Sequence, residues 1–109
     1  MMTNEDHKVY ATEILQQLGG RQFLAMVGAK FTTYDSSMDT PNLSVRFQGS
    51  KVANHVQITL NSMDTYEVKF FKIRVGSKVE VKTIKEWSDI YGDMLQSIFT
   101  ETTGLYTHL

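Results

Sequence analysis

Apolar residues recur at every second position through the middle of the chain. Leu43, Val45 and Phe47 alternate with Ser44, Arg46 and Gln48. Val56, Ile58 and Leu60 alternate with Gln57, Thr59 and Asn61. Tyr66, Val68 and Phe70 follow with Glu67 and Lys69 between them, and Val79 and Val81 with Glu80 and Lys82. A period of two is that of a strand with one face in a core and one in solvent. Turn residues separate the runs at 49–51, 61–64 and 76–77, so short hairpins and an antiparallel meander are expected. Residues 30–34 are also β-rich, and 35–42 read as a loop. Inside the Tyr66–Val75 run the phase slips, because Phe71, Ile73 and Val75 carry the apolar parity onward. Such a slip predicts a β-bulge in that strand.

The ends of the chain have helical spacing. Ala11, Ile14, Leu15 and Leu18 form one stripe of a helix over 6–18, capped by Asn4 or Thr3, with Glu5 and Asp6 at its positive end. Gly19-Gly20 stops it, and a short helix over 21–27 offers Phe23, Leu24 and Val27 to the core before Gly28. Near the other end Ile84, Trp87, Tyr91, Met94, Leu95 and Ile98 share a helical face. Thr83 and Glu86 suit a capping box for that helix, and Ser88 a later start that avoids an interior Gly92. Thr103-Gly104-Leu105 reads as its glycine cap, and the tail 106–109 is expected to dock. The expected fold is a single α+β domain, residues 1–109. Its order is α-α-β-β-β-β-β-α, with an antiparallel sheet of about five strands covered on one face by the terminal helices.

Charge changes this picture locally. The 109 residues carry a formal charge of −1, yet residues 44–86 hold eight Lys or Arg against four Asp or Glu. Arg46, Lys69, Lys72, Arg74 and Lys82 are the candidate binding surface, with Lys78 and Lys85 beside them. Such a surface suits nucleic acid or an acidic protein. Glu67 and Glu80 lie among these residues, and cross-strand ion pairs produce the same composition. A bulge at Phe70-Phe71 would bring Lys69 onto the face of Lys72 and Arg74. In a regular strand one of the two rings would stand exposed beside the basic residues as a stacking platform, whereas at a bulge both rings can point inward.

Candidate chemistry adds little. No cysteine is present, which removes disulfides and thiolate sites. His7, His55 and His108 show no metal-ligand spacing, and Asp89 and Asp93 read as a solubilising helix face. Gly19-Gly20 lacks the pattern of a phosphate loop. The expectation is a non-enzyme with no cofactor and no metal; a small hydrolytic enzyme needs folding to place a carboxylate beside His55. An apolar run long enough to span a membrane is absent, and the acidic start is unlike a signal peptide. An intracellular location and no membrane partner are therefore expected. A homodimer is the expected oligomer, through an edge strand, the bare sheet face or Met26, Met38, Met63 and Met94. The alternative to a binding role is a structural or assembly protein whose main interface is that contact.

Three segments resemble a family of small uncharacterised proteins encoded by bacteriophages and prophages. They are Ile14-Leu15-Gln16-Gln17-Leu18-Gly19-Gly20 with Phe23-Leu24-Ala25-Met26-Val27-Gly28-Ala29-Lys30, then Val56-Gln57-Ile58-Thr59-Leu60-Asn61 with Asp64-Thr65-Tyr66. The third is Tyr91-Gly92-Asp93-Met94-Leu95 with Ile98-Phe99-Thr100-Glu101-Thr102-Thr103-Gly104-Leu105-Tyr106. Gly92 departs from the alanine expected there. The resemblance implies a phage or mobile-element accessory protein of the bacterial cytoplasm and assigns it no activity.

Overall fold

A computed structural model describes residues 2–107, apart from the side chain of Phe31. His108 and Leu109, the end of the expected docked tail, lie outside the described residues. Two helices, α1 (Asn4–Leu18) and α2 (Gly20–Met26), precede five strands: β1 (Phe31–Thr33), β2 (Asn42–Arg46), β3 (His55–Leu60), β4 (Tyr66–Val75) and β5 (Val79–Ile90). A 3-10 turn, Gly92–Met94, leads into α3 (Leu95–Thr103). The sheet is an antiparallel meander in the order β1-β2-β3-β4-β5. The α+β class and the element order agree with the sequence pattern.

Local chemistry fixes the helix ends. Thr3 Oγ1 accepts from the Asp6 amide at 3.1 Å while the Asp6 carboxylate accepts from the Thr3 amide at 3.0 Å, a reciprocal capping box. Those bonds hold the Asp6 carboxyl below the usual aspartate range. Between α1 and α2, Gly19 takes φ 121°, and a Cβ there would lie 2.9 Å from Gln96 Nε2 and 3.1 Å from the Thr107 carbonyl. Gln96 Nε2 donates to the Leu18 carbonyl at 3.1 Å, so α3 locks against this junction, and the tail reaches it at buried Thr107.

The helices cover one face of the sheet. Val45, Val56, Ile58 and Phe70 have no exposure, and they share a single core with Ile14, Leu18, Phe23 and Phe99. Phe99 sits at its centre, edge-on to Phe23 and Phe47 at ring distances of 5.0 Å and 5.9 Å from Phe70. This helix-side face is called inner below.

Two expectations are corrected here. The helix expected from Thr83 or Ser88 begins only at Leu95, because β5 continues as strand to Ile90. The register explains the mistake. Phe70 pairs with Lys85 and Phe71 with Thr83, and Tyr66 pairs with Ile90 and Val68 with Trp87, so β5 carries an extra residue at each of two bulges. Asp89, with φ 58°, marks the second of them. Bulges spaced in this way place Ile84, Trp87 and Ile90 inward at intervals of three, which imitates one face of a helix. Thr83 and Ser88 therefore cap nothing, and Trp87 instead donates its indole N–H to Thr102 in α3 at 3.0 Å.

The second correction concerns β4. The register does shift at Phe70/Phe71, but the extra residue, Ile84, belongs to β5. β4 runs without interruption against β3, from Leu60↔Tyr66 to His55↔Phe71. Its apolar residues simply change face after Phe70. Phe71, Ile73 and Val75 stand on the outer face with Lys69, and Lys72 and Arg74 stand on the inner one.

Candidate anion-binding groove

The β4–β5 hairpin outruns the rest of the sheet. The last β3–β4 pair is His55↔Phe71, and one side chain extends that ladder. Asn54 Oδ1 accepts from the Ile73 amide and Asn54 Nδ2 donates to the Ile73 carbonyl, both at 2.8 Å. The carboxamide thus stands in for one more strand residue. Past Ile73, Arg74 pairs with Glu80 and Val75 with Val79 around the loop 76–78, and no third strand joins them.

The β2–β3 connection folds to the helix side of this ribbon. Ser50 Oγ donates to the Thr103 carbonyl at the end of α3, at 2.8 Å. Between that connection and the ribbon's inner face lies a concavity of about 370 Å³, lined by Lys51, Lys72, Arg74, Lys82 and Glu80 over an apolar floor of Val52 and Ile84. Lys72 also borders a second hollow with Lys30 and Arg46, and Arg74 a third with Lys78. Together these three hollows, bordering one another at Lys72 and at Arg74 with Glu80, make up a basic groove lined by seven of the chain's eleven Lys and Arg and by a single carboxylate, Glu80.

The candidate residues divide accordingly. Lys72, Arg74 and Lys82 line the groove itself, and Arg46 borders its neighbouring hollow. Lys69 does not join them. It is on the outer face, 3.6 Å from Glu86 in the one ion pair among the described residues. Lys85 lies 4.9 Å over the Trp87 ring. Glu67 is opposite Thr59 and away from the groove, whereas Glu80 is directly opposite Arg74 without closing to an ion pair. Lys72 and Lys82 are cross-strand neighbours, and like charges so placed destabilise a hairpin.

Lys30 and Lys51 belong to the groove but escaped the candidate set. The topology was the available clue. In a meander of this order the start of β1, the β2–β3 connection and the β4–β5 loop all fall at one end of the sheet. The opposite end carries Asp35, Asp39, Asp64, Asp89 and Asp93, and no Lys or Arg in its loops. A chain of formal charge −1 is thus electrically two-ended.

The aromatic and titratable residues lie elsewhere. Phe70 is fully buried, and Phe71 is half-buried on the outer face, its ring 6.5 Å from that of His55. Neither ring stands beside the groove. His55 lines a shallow outer hollow with Ser44, Gln57, Phe71, Ile73 and Val81, which includes no carboxylate. Burial, and then the charge of Arg46, lowers its pKa below the ordinary 6.5. His7 is buried in α1, stacked on Tyr34, with no hydrogen-bond partner for either ring nitrogen among the described residues. No group of three or more His, Asp or Glu among the described residues is placed to hold a metal ion. No helix among them is long and apolar enough to cross a membrane.

On the outer face of the ribbon the residues are apolar. Val75, Val79 and Val81 are 69%, 66% and 60% exposed, continuing a row from half-buried Phe71 and Ile73. Of the four methionines suggested for self-contact, Met63 is the most exposed, at 80% on the β3–β4 turn, far from this row in sequence. Compared with family models, curated proteins and solved structures, the chain matches none of them.

Proposed function

We propose that this protein is a non-enzymatic binding protein that holds the phosphate backbone of a nucleic acid in the basic groove. The carrying observation is the groove's charge: seven cations face one carboxylate, and the one ion pair among the described residues involves none of them. A phosphate seated between Lys72 and Lys82 relieves their mutual repulsion and exchanges condensed counterions for fixed protein charges. The setting that accords with the sequence resemblance is that of a phage or mobile-element accessory protein in the bacterial cytoplasm.

The test is titration of a labelled oligonucleotide at several salt concentrations. With about five phosphates engaged, raising salt from about 50 to 200 mM lowers affinity on the order of 10²–10³-fold. Lys72→Glu with Arg74→Glu is expected to abolish binding while leaving the circular dichroism spectrum and melting curve of a folded protein. Binding indifferent to salt, or retained by the double variant, would overturn the proposal.

A second reading draws on the outer face. The row Phe71, Ile73, Val75, Val79 and Val81 is an apolar strip on the outer face of the ribbon, and a second copy of the chain is an occupant that buries it. Light scattering of the protein and of Val79→Lys with Val81→Lys separates the cases. A dimer that becomes monomeric supports self-association through this strip, and a monomer in both removes it.

A further inference from the structure

We infer that the preferred ligand of the groove is B-form duplex DNA, entered at its major groove by the free end of the β4–β5 hairpin. The inference rests on the nucleic-acid reading above and adds which form of nucleic acid is recognised and by which element.

The first support is shape. From Arg74 to Glu80 the hairpin is a ribbon of two strands with no third strand at its side. Its strands are about 4.8 Å apart, and its four residues beyond Phe71 reach roughly 13 Å. The major groove of B-form DNA is about 12 Å wide and about 8.5 Å deep and admits a two-stranded ribbon. An A-form RNA duplex has a deep, narrow major groove that side chains do not read. The ribbon therefore suits DNA better than double-stranded RNA.

The charge layout agrees with that docking. Arg74 and Lys78 lie nearest the tip, where a ribbon in the groove meets base edges. Lys51, Lys30 and Arg46 lie back from it, around the hollows at its base, at the level of the flanking phosphates. The Asn54 clamp on Ile73 holds the ribbon's root to the sheet, so the tip and the base contacts keep a fixed offset.

The missing stacking platform argues against single strands. Single-stranded nucleic acid is held largely by aromatic rings on which unpaired bases stack. The only aromatic residue lining the basic hollows is Phe47, which is buried in the core at 2% exposure. Phe71 faces away. The groove offers charge over an aliphatic floor with no exposed ring, which suits a ligand whose bases are already stacked on one another.

The experiment measures anisotropy of four labelled probes with the whole protein: a 20-bp DNA duplex, one of its strands, an RNA duplex of the same sequence and polyglutamate. The expected result is DNA duplex binding at least about tenfold tighter than any other probe. A variant in which residues 74–80 are replaced by the flexible loop Gly-Ser-Gly-Ser removes the ribbon beyond the Ile73↔Val81 pair and leaves Lys72 and Lys82 in place. It is expected to lose that preference and keep weak, salt-sensitive binding to all nucleic acids through Lys30, Arg46, Lys51, Lys72 and Lys82. Arg74→Ala with Lys78→Ala tests the same point with the ribbon left intact, and the expected loss is again of the preference. Equal binding of DNA duplex, single strand and RNA duplex would overturn this inference and leave the basic-groove proposal standing. A preference for polyglutamate would overturn both in favour of an acidic protein partner, and no binding to any probe would also sink both.

Discussion

The two halves of the β4–β5 hairpin share one continuous ladder and are built for opposite purposes. In the near half Val68 and Phe70 are at most 2% exposed, and Trp87 lies opposite Val68 and Ile90 opposite Tyr66 in the ladder under the helices. In the far half every residue from Arg74 to Thr83 is exposed, lysine stands opposite lysine on the inner face, and valines crowd the outer one. Backbone pairing alone therefore does not dictate the side chains. Where a core must be filled, the alternation obeys it. Where the helices end, the same strands carry a charge pattern that weakens the free hairpin.

The largest effect should separate the halves by stability. Phe70→Ala removes a fully buried ring and is expected to cost about 3–5 kcal/mol, whereas Val79→Ala in the far half should stay within about 0.5 kcal/mol. Urea unfolding of both variants checks the contrast, and similar costs would erase it. Smaller, and placed at the boundary, is the effect of Asn54→Ala. It removes both bonds to the Ile73 backbone and should cost about 1–3 kcal/mol. Amide exchange at Ile73 and in the far half should speed up while Val56, Val68 and Phe70 keep their protection. Uniform loss of protection would show that the boundary is not at Ile73.

The smallest effect is electrostatic and reads the reach of the groove's charge. His55 has its pKa lowered by burial first and by Arg46 second. The unfolded chain thus takes up a proton as pH falls through about 6.5, before the folded one does. His55 favours the fold fully above that pH, and its contribution declines as pH drops toward the folded value. Arg46→Gln should raise the His55 pKa part of the way to 6.5, because burial remains. Proton NMR titration of the ring measures it, and an unmoved or lower pKa would show that Arg46 is too distant to act.

Much of the fold was legible because its determinants are short-range. Thr3 with Asp6 and Gly104 with Thr100 are complete caps within a few residues, and the alternations of β2, β3 and early β4 record a core on one face. The second half of β5, residues 83–90, was not legible, since its bulges turn a period of two into intervals of three at Ile84, Trp87 and Ile90. For the candidate surface, Lys72, Arg74 and Lys82 stood out as charges crowded into strands. Lys69 was misplaced because a phase slip in one strand does not reveal which strand holds the extra residue. Lys30 and Lys51 needed knowledge of which loops share an end of the sheet, a tertiary fact that composition does not contain.

For the nucleic-acid ligand proposed above, the separation of the basic groove from the aspartate-bearing loops has a kinetic consequence. Far from a polyanion the molecule is a weak like charge, with nothing to draw it in. Within about a Debye length, roughly 8 Å at physiological salt, its two ends feel opposite forces and a torque turns the ribbon toward the phosphates before contact. Orientation is then selected during the encounter, and few collisions present the wrong end.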